Sequence, residues 1–136
     1  MRFAMVVGLP APILLALALL ALGPTGAKAQ DADAGQRVFN QCRACHVIAA
    51  TGRNGVGPNL FGVWGRAAGT VEGFRYSTAM RERGAAGLVW NEENLRAYIT
   101  DPKAVLPAGS MSYPGLRNEQ MRNDLIAYIQ RASTAN

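Results

Sequence analysis

The 136-residue sequence holds one histidine, His46, and two cysteines, Cys42 and Cys45. A zinc site needs four protein ligands, usually cysteine and histidine, and there is no second ligand pair to complete one. Lysine is nearly absent, with Lys28 and Lys103 its only two occurrences. No long acidic, basic or low-complexity run argues for disorder. No basic cluster interleaves with aromatics, so the footprint of a nucleic-acid binder is missing. No repeat of fixed period appears. No segment alternates apolar and polar residues as a half-buried strand does, and the βαβ pattern of a dithiol oxidoreductase is missing with it.

The N-terminal 29 residues have their own composition. Arg2 precedes an apolar stretch from Phe3 to Leu22, interrupted by Gly8, Pro10 and Pro12, and Ala27-Lys28-Ala29 follows a Pro/Gly turn. A positive start, an apolar middle and an A-x-A end describe a secretory signal peptide over residues 1–29. The competing reading is a retained anchor, because residues 6–22 are almost long enough to span a bilayer. Cleavage after Ala29 leaves one domain, residues 30–136, in the periplasm or another space outside the cytoplasm. Its Lys and Arg then number 12 rather than 14 against nine acidic residues, a net charge of +3. That charge suits transient docking to an acidic protein face.

Within the domain, three segments read as helices. Asp33 and Gln36 have capping-box spacing before a helix over Ala34–Cys42, with Ala34, Val38 and Cys42 on one face. A second helix starts near Asn91, buries Leu95, Tyr98 and Ile99, and ends at Pro102. A third spans Glu119–Ala132, with Met121, Leu125, Tyr128, Ile129 and Ala132 as its apolar stripe. A short fourth is expected over Ser77–Arg83, stopped by Gly84. The fold class is all-α, three main helices plus one or two short ones. The glycine-rich loops between them are long for so thin a core and need something to pack against. A large buried cofactor fills that need.

The two thiols and the imidazole fall together in CRACH, residues 42–46. C-x-x-C-H is the attachment sequence of a c-type haem. Each thiol forms a thioether with one vinyl group of the porphyrin, and the histidine directly after becomes the proximal iron ligand. A disulfide between Cys42 and Cys45 is the remaining alternative. On the other side of the iron a second histidine is excluded by count, which leaves methionine, lysine or an open position. Met121 belongs to a helix stripe and reads as core. Met80 lies in the short helix amid Arg81 and Arg83. Met111 lies in LPAGSMSYPG, a loop bounded by proline and glycine and 65 residues beyond His46.

The segments GQRVFNQCRACH, GVGPNLFGVWGR, GFRYSTAM, LVWNEENLRAYITDPK, LPAGSMSYPG and DLIAYIQ, in this order, cover nearly all of residues 34–132. In these the chain resembles the class I c-type cytochromes, close to mitochondrial cytochrome c and bacterial cytochrome c2. The resemblance implies thioethers at Cys42 and Cys45, His46 as proximal ligand and Met111 as distal ligand. It implies that the carbonyl of Pro58 accepts a hydrogen bond from His46. Tyr76 and Trp90 are implied as donors to a haem propionate, with Arg66 beside the same charge and Tyr98 beside the Met111 sulfur. Gly35 and Phe39 are implied to meet Leu125 and Tyr128. The chain departs from the family at Gly109, where a propionate-binding threonine is common and Ser110 is the nearest substitute. It departs also at Met80, in place of an asparagine, and in a lysine ring partly replaced by Arg37, Arg43, Arg53, Arg96 and Arg117.

The implied protein is a monomeric periplasmic electron carrier with one haem c and no enzymatic activity. Its partners would be membrane redox complexes: a quinol–cytochrome c oxidoreductase on one side, a terminal oxidase or reaction centre on the other. No nucleic acid and no stable membrane insertion are expected. The alternatives are a membrane-tethered cytochrome of a respiratory assembly, or an open-site haem peroxidase or gas sensor.

Overall fold

The computed structural model describes residues 29–135; the expected leader, except for Ala29, lies outside them. Five helices follow one another: α1 (Ala32–Phe39), α2 (Thr78–Ala85), α3 (Glu92–Thr100), α4 (Pro102–Val105) and α5 (Glu119–Thr134). Among the described residues the only β feature is an isolated antiparallel bridge between Ala67 and Val89. The all-α expectation holds. No helix of the described residues is long and apolar enough to cross a membrane.

Helix α1 begins two residues earlier than its sequence pattern suggested. Asp31, not Asp33, is the N-cap, and its carboxylate accepts the amides of Asp33 at 2.9 Å and Ala34 at 3.1 Å. Two orphan N–H groups are thereby satisfied, which is what a cap does. The regular helix stops at Phe39, and turns carry the chain on to Cys42 through the 2.8 Å bond from the Cys42 amide to the Phe39 carbonyl. The buried residues are Gly35 and Phe39 rather than the face defined by Ala34.

That face packs on α5. A Cβ on Gly35 would fall 1.9 Å from the carbonyl oxygen of Asp124, so only glycine permits this separation. Phe39 and Tyr128 stack with ring centroids 5.2 Å apart. The amide of Asp31 donates to the buried carboxylate of Asp124 at 2.9 Å, and Arg131 pairs with Asp33 at 2.8 Å. Phe39, Leu125 and Ile126 are each 1% exposed, and burying such side chains stabilises by about 2 kcal/mol apiece. Met121 is corrected from core to surface: it is 36% exposed. The partners of α5 on α1 run from Asp124 to Arg131, so Met121 lies a turn beyond the covered stretch.

Two further expectations change. Gly84 lies inside α2 rather than ending it, where a Cβ would meet the Ala68 carbonyl oxygen at 2.0 Å. Gly87, at φ 96°, follows the helix. Pro102 ends α3 but also opens α4, with Asp101 accepting from the Ala104 amide at 3.1 Å. Proline lacks the amide that a first-turn residue leaves unused.

Candidate functional site

The helices and loops enclose a cavity of about 430 Å³. Nine residues expected to hold the cofactor or its iron line it: Cys42, Cys45, His46, Pro58, Arg66, Tyr76, Trp90, Tyr98 and Met111; Gly109 does not. Met80 and Ser110 line it as well. Its apolar wall comes from α3 and α5 through Leu95, Ile99, Leu125 and Ile129, and from the loop residues Leu60 and Val63.

The turns after α1 aim the first part of the site. The amides of Cys45 and His46 both donate to the Cys42 carbonyl, at 3.0 and 2.8 Å. This winds all three side chains around one backbone oxygen. Cys42 and Cys45 are not joined in a disulfide. Burial, and secondarily Cys45, pushes the Cys42 thiol up to about 11, so it is neutral near pH 7.

His46 is fixed by its neighbours. Its Nδ1 lies 2.8 Å from the Pro58 carbonyl. A carbonyl can only accept, so Nδ1 carries the proton and Nε2 keeps its lone pair. Burial holds the imidazole below its ordinary pKa, with the Pro58 bond opposing. The result is a neutral imidazole with one free donor atom, the state that metal ligation requires. Gly57 makes room for the ring, since a Cβ there would fall 2.5 Å from Cε1 and 2.8 Å from Nδ1. Sequence reasoning read GVGPNL as a motif but missed this role.

The bridge between Ala67 and Val89 sets the polar side of the cavity. The Trp90 amide donates to the Arg66 carbonyl at 2.9 Å, and the Gly65 amide to the Trp90 carbonyl at 2.9 Å. Arg66 and Trp90 are thereby held side by side. The Arg66 guanidinium donates to the carbonyls of Phe61 at 2.9 Å and Asn59 at 3.1 Å. None of the three ion pairs among the described residues involves it. Burial lowers its pKa, with Tyr76 opposing. A half-buried cation lacking a side-chain anion fits an occupant that brings negative charge of its own. Tyr76 accepts from the Val71 amide at 3.3 Å, which leaves its hydroxyl proton free to donate. Trp90 and Tyr98 pack at a centroid separation of 5.0 Å, and burial raises the pKa of Tyr98.

Met111 sits on a segment anchored at both ends. At one end the Gly109 amide donates to Leu106 at 2.9 Å, and Lys103 donates to the Gly109 carbonyl. At the other the Leu116 amide donates to Ile99 at 2.8 Å, where Gly115 passes the α3 terminus. Gln41 and Tyr113, which also line the cavity, were not identified from the sequence. Nothing in their spacing, 72 residues apart, relates them.

An apolar cavity with two thiols, one neutral imidazole, the thioethers of Met80 and Met111 and one cation without a side-chain anion suits a large planar group with acidic edges and a metal at its centre. The comparisons agree. The family model described as Cytochrome c matches residues 32–133. A cytochrome c2 of Blastochloris viridis is 45% identical over 119 residues, which cover 88% of this chain and 91% of that one. A cytochrome c2 of Rhodoblastus acidophilus is 47% identical, over 76% of this chain and 94% of its own. A cytochrome c-550 of Nitrobacter winogradskyi is 41% identical, over 74% and 90%. The chain therefore belongs to the cytochrome c family, the all-α electron-transfer proteins that carry covalently bound haem c.

Proposed function

We propose that this electron carrier is a soluble, monomeric periplasmic shuttle. It takes electrons from a membrane quinol-oxidising complex and delivers them to a terminal oxidase or a photosynthetic reaction centre. On this reading residues 1–29 are a cleaved leader and the mature domain begins at Gln30. The cytochrome c2 relatives support the reading by name.

Haem c, attached through Cys42 and Cys45, supplies an iron that gains and loses single electrons. His46 is its proximal ligand and Met111 its distal ligand. The observation that supports the His46 assignment is the 2.8 Å contact of its Nδ1 with the Pro58 carbonyl, because it leaves the Nε2 lone pair available to an iron. A thioether favours ferrous iron and raises the potential. Held by His46 and Met111, the iron would exchange electrons while these two side chains exclude other ligands. Tyr76, Trp90 and Arg66 hold the acidic edge, and the packed wall limits rearrangement between oxidation states.

An optical redox titration tests this. A reversible one-electron transition with a sulfur–iron charge-transfer band in the oxidised form is expected. Met111→Ala should remove that band and lower the potential. Rapid carbon monoxide binding to ferrous wild type would reject the closed site. The mass of the purified protein should correspond to a chain starting at Gln30 with one haem; a heavier chain that retains residues 6–22 would mean an anchor.

A further inference from the structure

The segment that carries Met111 is held loosely for its position. Residues 110–114 all line the cavity. Among the described residues, their amides and carbonyls make no backbone hydrogen bond. The anchors described above act on Gly109 and Leu116, outside the segment. Within it there is one hydrogen bond: the Tyr113 hydroxyl donates to Gln41 Oε1 at 3.2 Å.

Gln41 directly precedes Cys42 and belongs to the turns that aim CRACH. This bond therefore joins the part of the chain that holds the cysteines to the part that holds Met111. It does so at the surface, since Gln41 is exposed and Tyr113 only half-buried. The Tyr113 ring also packs against the core. Its apolar body is anchored while its hydroxyl reaches the rim, the usual division of labour in a buried-edge tyrosine.

We propose that Tyr113 and Gln41 form a strap that holds the 110–114 segment closed over the haem and so positions Met111 at the iron. They are positioning residues, acting through Met111 rather than on the iron. The strap sets how often the thioether leaves the metal. It therefore sets how readily a foreign ligand enters, without changing the chemistry of the ligands. This inference rests on Met111 being the distal ligand.

The experiment measures the rate at which free imidazole displaces the sulfur in the ferric holoprotein, followed through the sulfur–iron band. Tyr113→Phe keeps the ring and removes the hydroxyl; Gln41→Met keeps the length and removes the acceptor. Each should speed imidazole entry about five-fold, the factor that corresponds to a net hydrogen bond of ordinary strength. The double variant should be no faster than either single one, because both remove the same bond. The band itself should persist in all variants before imidazole is added. A purely structural role would instead lower the melting temperature and leave the exchange rate at a given temperature unchanged. Unchanged exchange in Tyr113→Phe, or independent additive effects of the two changes, overturns the strap. Absence of the band in wild type overturns the Met111 assignment instead, so the two failures are distinguishable.

Discussion

The ring of His46 and the backbone of Gly57 are in contact so close that no side chain fits between them, with a built Cβ only 2.5 Å from Cε1. One residue later the Pro58 carbonyl accepts a hydrogen bond from Nδ1. Positioning of the ring and choice of its tautomer thus come from adjacent residues of one loop. Gly57→Ala should displace the ring and strain that bond. Overpacking of this kind costs about 1–3 kcal/mol. The denaturation midpoint of the holoprotein should fall accordingly, and the midpoint potential should move with it. An alanine variant with wild-type stability and potential would show that the loop yields without disturbing the ring.

Gly35→Ala opposes two effects of known size. Alanine is favoured over glycine inside a helix by about 1 kcal/mol. Against this stands a methyl carbon 1.9 Å from the Asp124 carbonyl oxygen and 2.8 Å from Tyr128 Cβ, neither of which is the end of a flexible side chain. The clash should win, with a net loss of about 2 kcal/mol, the upper end of the overpacking range less the helix gain. Urea titration measures it directly. A stabilised variant would mean that α1 and α5 separate at little cost.

The cap at Asp31 predicts the acid limb of stability. Hydrogen bonds from the Ala34 and Asp33 amides hold its carboxyl below the ordinary value of 3.8. The unfolded chain then binds the proton more tightly than the folded one. The stabilisation is complete above pH 3.8 and is lost as pH falls through the lower, folded value. Asparagine caps nearly as well without titrating. Asp31→Asn should therefore match wild type near pH 7 and show a shallower loss of melting temperature below pH 4. Equal slopes would remove the cap from the account.

Residues 30–136 carry a net charge of +3, with the positive charge almost wholly on arginine. Electron transfer to an acidic partner should slow as salt is added, since charge complementarity acts chiefly on the encounter rate. Stopped-flow rates across ionic strength provide the check. A flat profile would make the basic surface incidental to docking.

The helices were legible because apolar periodicity and capping residues are local signals. Leu95 and Ile99 in α3, and Leu125 and Ile129 in α5, follow directly from spacing. Boundaries were less so: the spacing of Asp33 and Gln36 suggested a cap two residues late, whereas Asp31 caps α1 and its own amide is held by Asp124 on α5. Met121 has the right spacing for a core residue but precedes the stretch of α5, Asp124 to Arg131, that contacts α1, which spacing cannot reveal. In the site, CRACH declared itself, and family resemblance drew attention to Arg66, Tyr76 and Trp90. The guanidinium contacts of Arg66 were hidden, because the carbonyls of Asn59 and Phe61 leave no mark in a sequence. The Gln41–Tyr113 bond was hidden for the same reason as any contact between distant segments.

The meeting of α1 and α5 has a consequence for biosynthesis. The first helix finds its partner only when the last one exists, after a closure spanning most of the domain. The Ser133 carbonyl, nearly at the end of the described chain, also receives the Gly62 amide at 2.8 Å. A nascent chain therefore exposes CRACH early and cannot seal it until α5 has been made. Loop closure over such a separation is the slow, entropy-limited event of assembly, and it leaves the thiols reachable throughout the interval before it occurs.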